Sequence, residues 1–404
     1  MSTSGDEGWQ EDRHWRQNLV VCLFGSFTTI SAMTLLLPFL PLYVEQLGIA
    51  NHAGIALWSG IAYSATFFAA ALVAPLWGRL GDLYGRKLML VRASFGMAVT
   101  MSLIGMAYNV WELVALRFLA GLAGGYSSGS IILVATQTPR VRSGWALGML
   151  STGIMAGNLV GPLIGGVLPP IIGIRGTFWM AGGLIFLTFI ATTVLVKEEK
   201  RPLEEKRTET SEGWAALRDK RLVSAMLVTG GLLMLANMSI EPIITLYVAQ
   251  FEAPSRVTFI SGIVMSAAAL GSILSASRLG KLADRVGHWR VIVGGLAVSA
   301  LLLIPQAYVS SGWQLVGLRF LMGLSLGGLL PCINSVIRHN VPDRSTGRIL
   351  GYATSSQYVG QVAGPLLGGF VGGHAGMRVV LLGTALLMAC GAVFTWVSHI
   401  GAQV

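Results

Sequence analysis

Twelve runs of mostly apolar residues, each about as long as the ~20 residues a helix needs to cross a bilayer, dominate this chain. They fall at roughly 18–44, 57–78, 88–107, 111–135, 145–168, 177–196, 222–249, 257–279, 290–309, 313–337, 347–371 and 377–398. Short polar stretches rich in Gly, Pro and Arg separate them, which reads as a series of membrane-spanning helices. Composition agrees: 53% of the 404 residues are hydrophobic and 11% charged, too apolar for a soluble domain of this size. The expected fold class is therefore an all-α membrane protein with twelve transmembrane helices.

The segment MSTSGDEGWQEDRHW is mixed in charge and runs directly into a full-length span. That pattern is an uncleaved anchor rather than a signal peptide. Cys22, Cys332 and Cys390 all fall inside spans, so neither a disulfide framework nor a cysteine metal site is expected. The six histidines lie near helix ends or in tails, and no metal or other cofactor is implied. A formal charge of +10 raises the possibility of nucleic acid, but its distribution argues against one. With both termini inside, cytoplasmic segments hold 23 of the 28 Lys and Arg, and the outer loops hold Arg175, Arg256 and Arg378. This asymmetry places both termini in the cytoplasm. Arg117 and Arg319 remain, within predicted helices.

The hydrophilic stretch from Lys197 to Arg221 divides six spans from six, and across it the chain repeats itself at an offset of 202 to 204 residues. PFLPLYVEQL from Pro38 answers PIITLYVAQF from Pro242, and GRLGDLYGRK from Gly78 answers GKLADRVGHW from Gly280. RFLAGLAGG from Arg117 answers RFLMGLSLGG from Arg319, and GNLVGPLIGG from Gly157 answers GQVAGPLLGG from Gly360. Two pseudo-symmetric six-helix bundles meeting at a midplane site follow. The expected organisation is a tail (1–17), an N-terminal bundle (18–196), a linker (197–221), a C-terminal bundle (222–398) and a tail (399–404).

The loop GRLGDLYGRK, the RxxxG pattern of the fourth span, GxxxGPxxGG in the fifth and PxxP in the first together resemble the major facilitator superfamily. The GP motif of the fifth span is similar to that of its drug:proton antiporter branch, whose bacterial members include multidrug efflux proteins. The resemblance spans Trp15 to the end. It implies proton-driven export of drug-like compounds across a bacterial cytoplasmic (inner) membrane by a monomer, with small molecules, protons and lipid as partners and no nucleic acid. It also implies that Asp82 and Arg86 latch one rocking state shut, with Asp284 at the matching place; there the second copy departs from the pattern, with His288-Trp289 where Arg-Lys would stand. A solvated turn carrying positive-inside charge is the alternative. The resemblance links Arg117 to proton transfer, against a structural contact to backbone carbonyls.

Gly157, Gly161 and Gly165 are four apart and line one helix face, so a neighbouring backbone can approach closely. Pro162 frees the carbonyl of Asn158. By resemblance this antiporter motif packs against the other half; plain helix packing is the alternative.

Glu241 is the one acid placed well inside a span. Such a residue is a functional candidate by default, able to load and lose a proton. Asn237 and Thr245, four residues to either side, extend it into a polar stripe expected to face the cavity, and Pro242 opens the helix ladder beside it. A permanent partnership with Arg117 or Arg319 is the competing reading. Asn158, Asn334, Gln357 and Gln361 are polar candidates for the cavity wall. Tyr126, Met155, Met238 and Tyr358 are its adaptable apolar candidates. No GxxxxGK[ST] loop occurs, since Gly280-Lys281 is followed by Leu282, and no cluster of nucleophiles or paired acids points to an enzyme. A proton-coupled uptake symporter or uniporter for a small metabolite or sugar is the rival function.

Overall fold

Residues 14–198 and 220–403 are described by the computed structural model; most of the expected linker (199–219) and most of the N-terminal tail (1–13) lie outside them. Among the described residues the regular structure is helical throughout. Eleven segments are long and apolar enough to cross a membrane: Trp15–Gln46, His52–Tyr84, Arg86–Ile104, Val110–Gln137, Val141–Val167, Pro169–Leu195, Lys220–Val248, Pro254–Val286, His288–Gln306, Gly312–His339 and Met377–Ser398. They are numbered here as spans in chain order, with Asp343–His374 as the eleventh and Met377–Ser398 as the twelfth. The eleventh has 32 residues, length enough to cross, but TSSQYVGQ dilutes its apolar character. Protein covers much of it: Gly360, Gly364 and Gly368 press on the seventh span at Gly231, Leu235 and Ser239.

The repeat in the sequence is a repeat in structure. Pro38 and Pro242 lack the N–H that would continue a helix, so the first span breaks into a 3-10 turn at Leu37–Phe39 and the seventh at Glu241–Ile243. Beyond each break a tyrosine ties the span to its neighbour. The Tyr43 hydroxyl donates to the carbonyl of Ile104 at 2.5 Å and that of Tyr247 to Gln306 at 2.8 Å. Gly85 and Gly287, with φ of +97° and +96°, turn the corners after the second and eighth spans in a conformation that a side chain would strain.

The ends of the molecule differ. On the face opposite the Gly85 and Gly287 corners, the halves meet closely. Ser64 Oγ donates to the carbonyl of Val362 at 2.7 Å, and Ser266 Oγ, its repeat mate, donates to that of Leu159 at 2.7 Å. Gly60 packs on Pro365 and Gly262 on Pro162, with Gly166 against Thr258 and Gly373 against Ala53. Toward the corners the same four helices part. A methyl added at Gly78, Gly144, Gly148, Gly280 or Gly351 would meet nothing within 4 Å, and Leu76, Leu274 and Tyr352 are exposed. A gap thus enters from the corner face and is shut at the far face.

Glu198, the second residue of the expected linker, folds back onto the second–third corner. Its carboxylate oxygens accept from the backbone N–H of Arg86 at 2.8 Å and of Lys87 at 2.7 Å, capping the third span where the helix dipole favours an anion. Losing two charge-assisted bonds at a half-buried terminus is worth roughly 1–3 kcal/mol. Glu198→Ala is therefore expected to lower the melting temperature of the purified protein, and Glu198→Asp to restore part of the loss.

Candidate functional site

Two buried arginines and the glycines beside them recur in both halves near the middle of the molecule. Arg117 and Arg319, offset by 202 residues, are 1% and 3% exposed. One turn on, Gly121 and Gly323 let the fourth and tenth spans close on the second and eighth at Thr66 and Ala268. Glu241 breaks the symmetry, because the matching place in the first half is Leu37. Tyr63 breaks it too: SGIAYSAT from Ser59 answers SGIVMSAA from Ser261, with Met265 opposite the tyrosine.

The two asymmetric residues meet. Tyr63 on the second span donates its hydroxyl to Glu241 Oε2 at 2.8 Å, a hydrogen bond from one half to the other just inside the shut face. On one side, the Arg117 guanidinium lies 6.0 Å from the Tyr63 ring centre and its Nε reaches the carbonyl of Ala62 at 3.4 Å. On the other, Arg319 interacts electrostatically with Glu241, yet no ion pair forms at Glu241 among the described residues. Among the described residues, Nη1 of Arg117 and Nε and Nη2 of Arg319 have no hydrogen-bond partner. Glu241 is enclosed by protein yet keeps partial access. A carboxyl held by one neutral donor, in the field of cations that do not clamp it, can exchange a proton or a ligand without breaking a buried ion pair, whose rupture would be costly. Permanent pairing with Arg117 or Arg319 does not describe this arrangement.

Several candidates sit where the gap ends. Met155 and Asn158 share a face with Pro162, and Tyr358 and Gln361, their repeat mates, share one with Pro365. The closure runs from those prolines down to the carbonyls of Leu159 and Val362, so Asn158 and Gln361 lie at its edge and Met155 and Tyr358 about one turn below it. Met155, Asn158 and Asn334 are exposed, and Asn237, Met238, Gln357, Tyr358 and Gln361 are half-buried.

Three expectations are corrected. Tyr126 is 1% exposed, packed beneath Gly25 with its hydroxyl 2.8 Å from Thr192 Oγ1; it belongs to the interior of the first half rather than to the cavity. Thr245 is not on the face of Glu241, because the break at Pro242 resets the helix phase; its hydroxyl donates to the carbonyl of Pro38 at 3.0 Å, joining the seventh span to the first. The stripe Gly157, Gly161, Gly165 packs on the first span of its own half, at Phe27, Ser31 and Leu35. The contact with the other half is displaced by about 100° per residue around the helix, to Pro162 and Gly166.

The latch candidates lie at the open corner face. Arg86 pairs with Asp82 within its own corner, and His288 lies 3.6 Å from Asp284 in the other. No sequence expectation falls on Tyr63; the tyrosines singled out for the cavity are Tyr126 and Tyr358. The signal at Tyr63 was a polar tyrosine where the repeat carries methionine.

Known proteins resemble this chain in sequence and in fold. The chain matches the Major Facilitator Superfamily over residues 22–309 and 258–400. It is 43% identical over 385 residues to the multidrug resistance protein MdtG of Serratia proteamaculans, covering 95% of this chain and 94% of that one. To MdtG of Proteus mirabilis it is 42% identical over 386 residues, with 95% and 96% covered. Among solved structures it is similar to a bacterial homolog of the human lysosomal transporter Spinster in an inward-facing and unoccupied conformation, with a TM-score of 0.78 at 13% identity over 96% of this chain and 97% of that one.

Proposed function

We propose, from the premise that this chain belongs to the Major Facilitator Superfamily, that it exports drug-like or amphiphilic small molecules in exchange for protons by alternating access. It is a multi-pass inner-membrane transporter and not an enzyme. The charge asymmetry of the sequence, with 23 of the 28 Lys and Arg in segments assigned to the cytoplasm, supports an open gap and both termini facing the cytoplasm, which makes this conformation inward-facing. Each chain holds a complete site, and the working unit is a monomer.

The observation that carries this reading is the Tyr63–Glu241 bond across the shut outer face. With Glu241 ionised, the bond is charge-assisted and strong, and it holds the empty carrier inward-facing. A cationic or polar substrate that takes Glu241 competes with Tyr63 and frees the halves to rock. Protonation from outside then displaces the substrate, and the neutral carboxyl is carried back as the outer face closes, to lose its proton inside. Closure of the inner gap brings Asp82 and Arg86 toward the other half, where they latch the outward-facing form; Arg117 and Arg319 set the field at the site.

Two outcomes separate export from its rival. In proteoliposomes with an imposed pH gradient, export predicts substrate moving opposite to the proton flux; movement with it would make the protein an uptake symporter. Tyr63→Phe removes the clasp, a bond to a charged group worth about 1.5–3 kcal/mol, and so admits empty return. The expected result is roughly a tenfold loss in accumulation ratio, with substrate exchange at zero gradient intact. An unchanged accumulation ratio would take Tyr63 out of the coupling.

A further inference from the structure

At the corner-face end of the seam between the first and fifth spans, Trp15, Arg16, Leu19 and Val20 face Arg142 and Trp145 across a groove of about 480 Å³. Its charges are set against ordinary helix chemistry. The first span starts at Trp15 and the fifth at Arg140, neither start has a side-chain cap, and neither first turn contains an acid. Each carries an arginine there instead, beside the positive end of the helix dipole, where a cation is disfavoured. Both guanidiniums gather on one ring, Arg16 at 5.3 Å and Arg142 at 5.7 Å from the Trp15 ring centre. Neither pairs with a carboxylate among the described residues. Two uncapped helix starts and two unpaired arginines thus converge above an apolar floor of Leu19 and Val20, the latter 66% exposed.

We infer that this groove is a binding site for an anionic phospholipid of the cytoplasmic leaflet. The headgroup phosphate sits between Arg16 and Arg142 within reach of the two helix starts, and an acyl chain lies along Val20 and Trp145. The chemistry fits on each count. Helix N-termini and arginines both select phosphate oxygens, the tryptophans sit at the interface depth such rings prefer, and basic pockets between spans on this side are suited to anionic headgroups. A free phosphate would leave Leu19, Val20 and Trp145 uncovered. The orientation rests on the charge asymmetry above, whereas the groove does not depend on proton coupling.

The test is native mass spectrometry of the full chain released from bilayers containing phosphatidylglycerol and phosphatidylethanolamine. The wild type is expected to retain phosphatidylglycerol selectively, and Arg16→Gln with Arg142→Gln to lower that retention roughly thirtyfold. Arg290→Gln with Arg348→Gln, two arginines of the same face outside the groove, should leave it unchanged. Val20→Trp keeps the charges and fills the floor, and is also expected to release the lipid. Added inorganic phosphate should not compete. Equal retention of both lipids, equal loss in the control pair, or displacement by phosphate alone would overturn the proposal. So would lipid retention that appears only after residues 2–12 are deleted, since the acidic start of the chain would then be the occupant.

Discussion

Glu241→Gln is expected to abolish uphill export driven by a pH gradient, a loss of at least about tenfold, while leaving exchange of an uncharged polar substrate between equilibrated compartments within about twofold. The substitution is nearly isosteric, and the glutamine carbonyl still accepts from Tyr63, so the contact between the halves survives. The exchangeable proton does not. If Glu241 were a structural partner, the same change would leave a cation uncompensated and depress exchange and export together; if the carboxyl carries the coupling, only the driven component falls. Wild-type accumulation should rise with the imposed gradient and the variant's should be flat. Undiminished pH-driven accumulation in Glu241→Gln would remove this carboxyl from the mechanism.

Comparing the two halves explains why this site could be partly read from sequence. A repeat at a fixed offset exposes the scaffold: the broken first and seventh spans, the corner glycines and the buried arginines all appear as matched strings and occupy matched places. What differs between copies stands out against that background. Glu241 against Leu37 was legible because a carboxyl inside a span is costly. Tyr63 against Met265 was not, because a tyrosine can be buried for packing alone and its partner is 178 residues away. The helix faces were the least legible. Spacing of four places Gly157, Gly161 and Gly165 on one stripe, but periodicity does not say which neighbour takes the stripe, and here it is the first span. Thr245 failed for a different reason: a proline break resets the phase on which any i+4 argument depends. The eleventh span counts among the apolar runs despite its serines and glutamines, and its GP motif sets it in register with the fifth.

Gly60→Leu is expected to abolish transport and to favour the opposite conformation from the one described. Gly60 lies against the carbonyl of Pro365, and an added Cβ would also stand 3.0 Å from that carbonyl carbon and 3.4 Å from the Cα of Gly369. The obstacle is backbone from the other half, so no side-chain rotation relieves it. Overpacking of this kind costs roughly 1–3 kcal/mol or more, and a two-state carrier shifts by about ten- to a hundredfold per 1.4–2.8 kcal/mol. Gly351→Leu should act with the opposite sign. A side chain there meets open space now, but obstructs the inner gap once the halves rock together, so it holds the inward-facing form. A cysteine placed at Met155, below the closure, reports the difference to a membrane-impermeant thiol reagent. Labelling from the cytoplasmic side should fall strongly in Gly60→Leu and stay high in Gly351→Leu, with both transporting at less than about a tenth of the wild-type rate. Because the substitutions sit at opposite ends of the interface, general misfolding would move both readouts together, whereas a rocking carrier moves them apart. Equal labelling in the two variants would mean that the tight far face and the open corner face are fixed features of the fold rather than one of its two working arrangements.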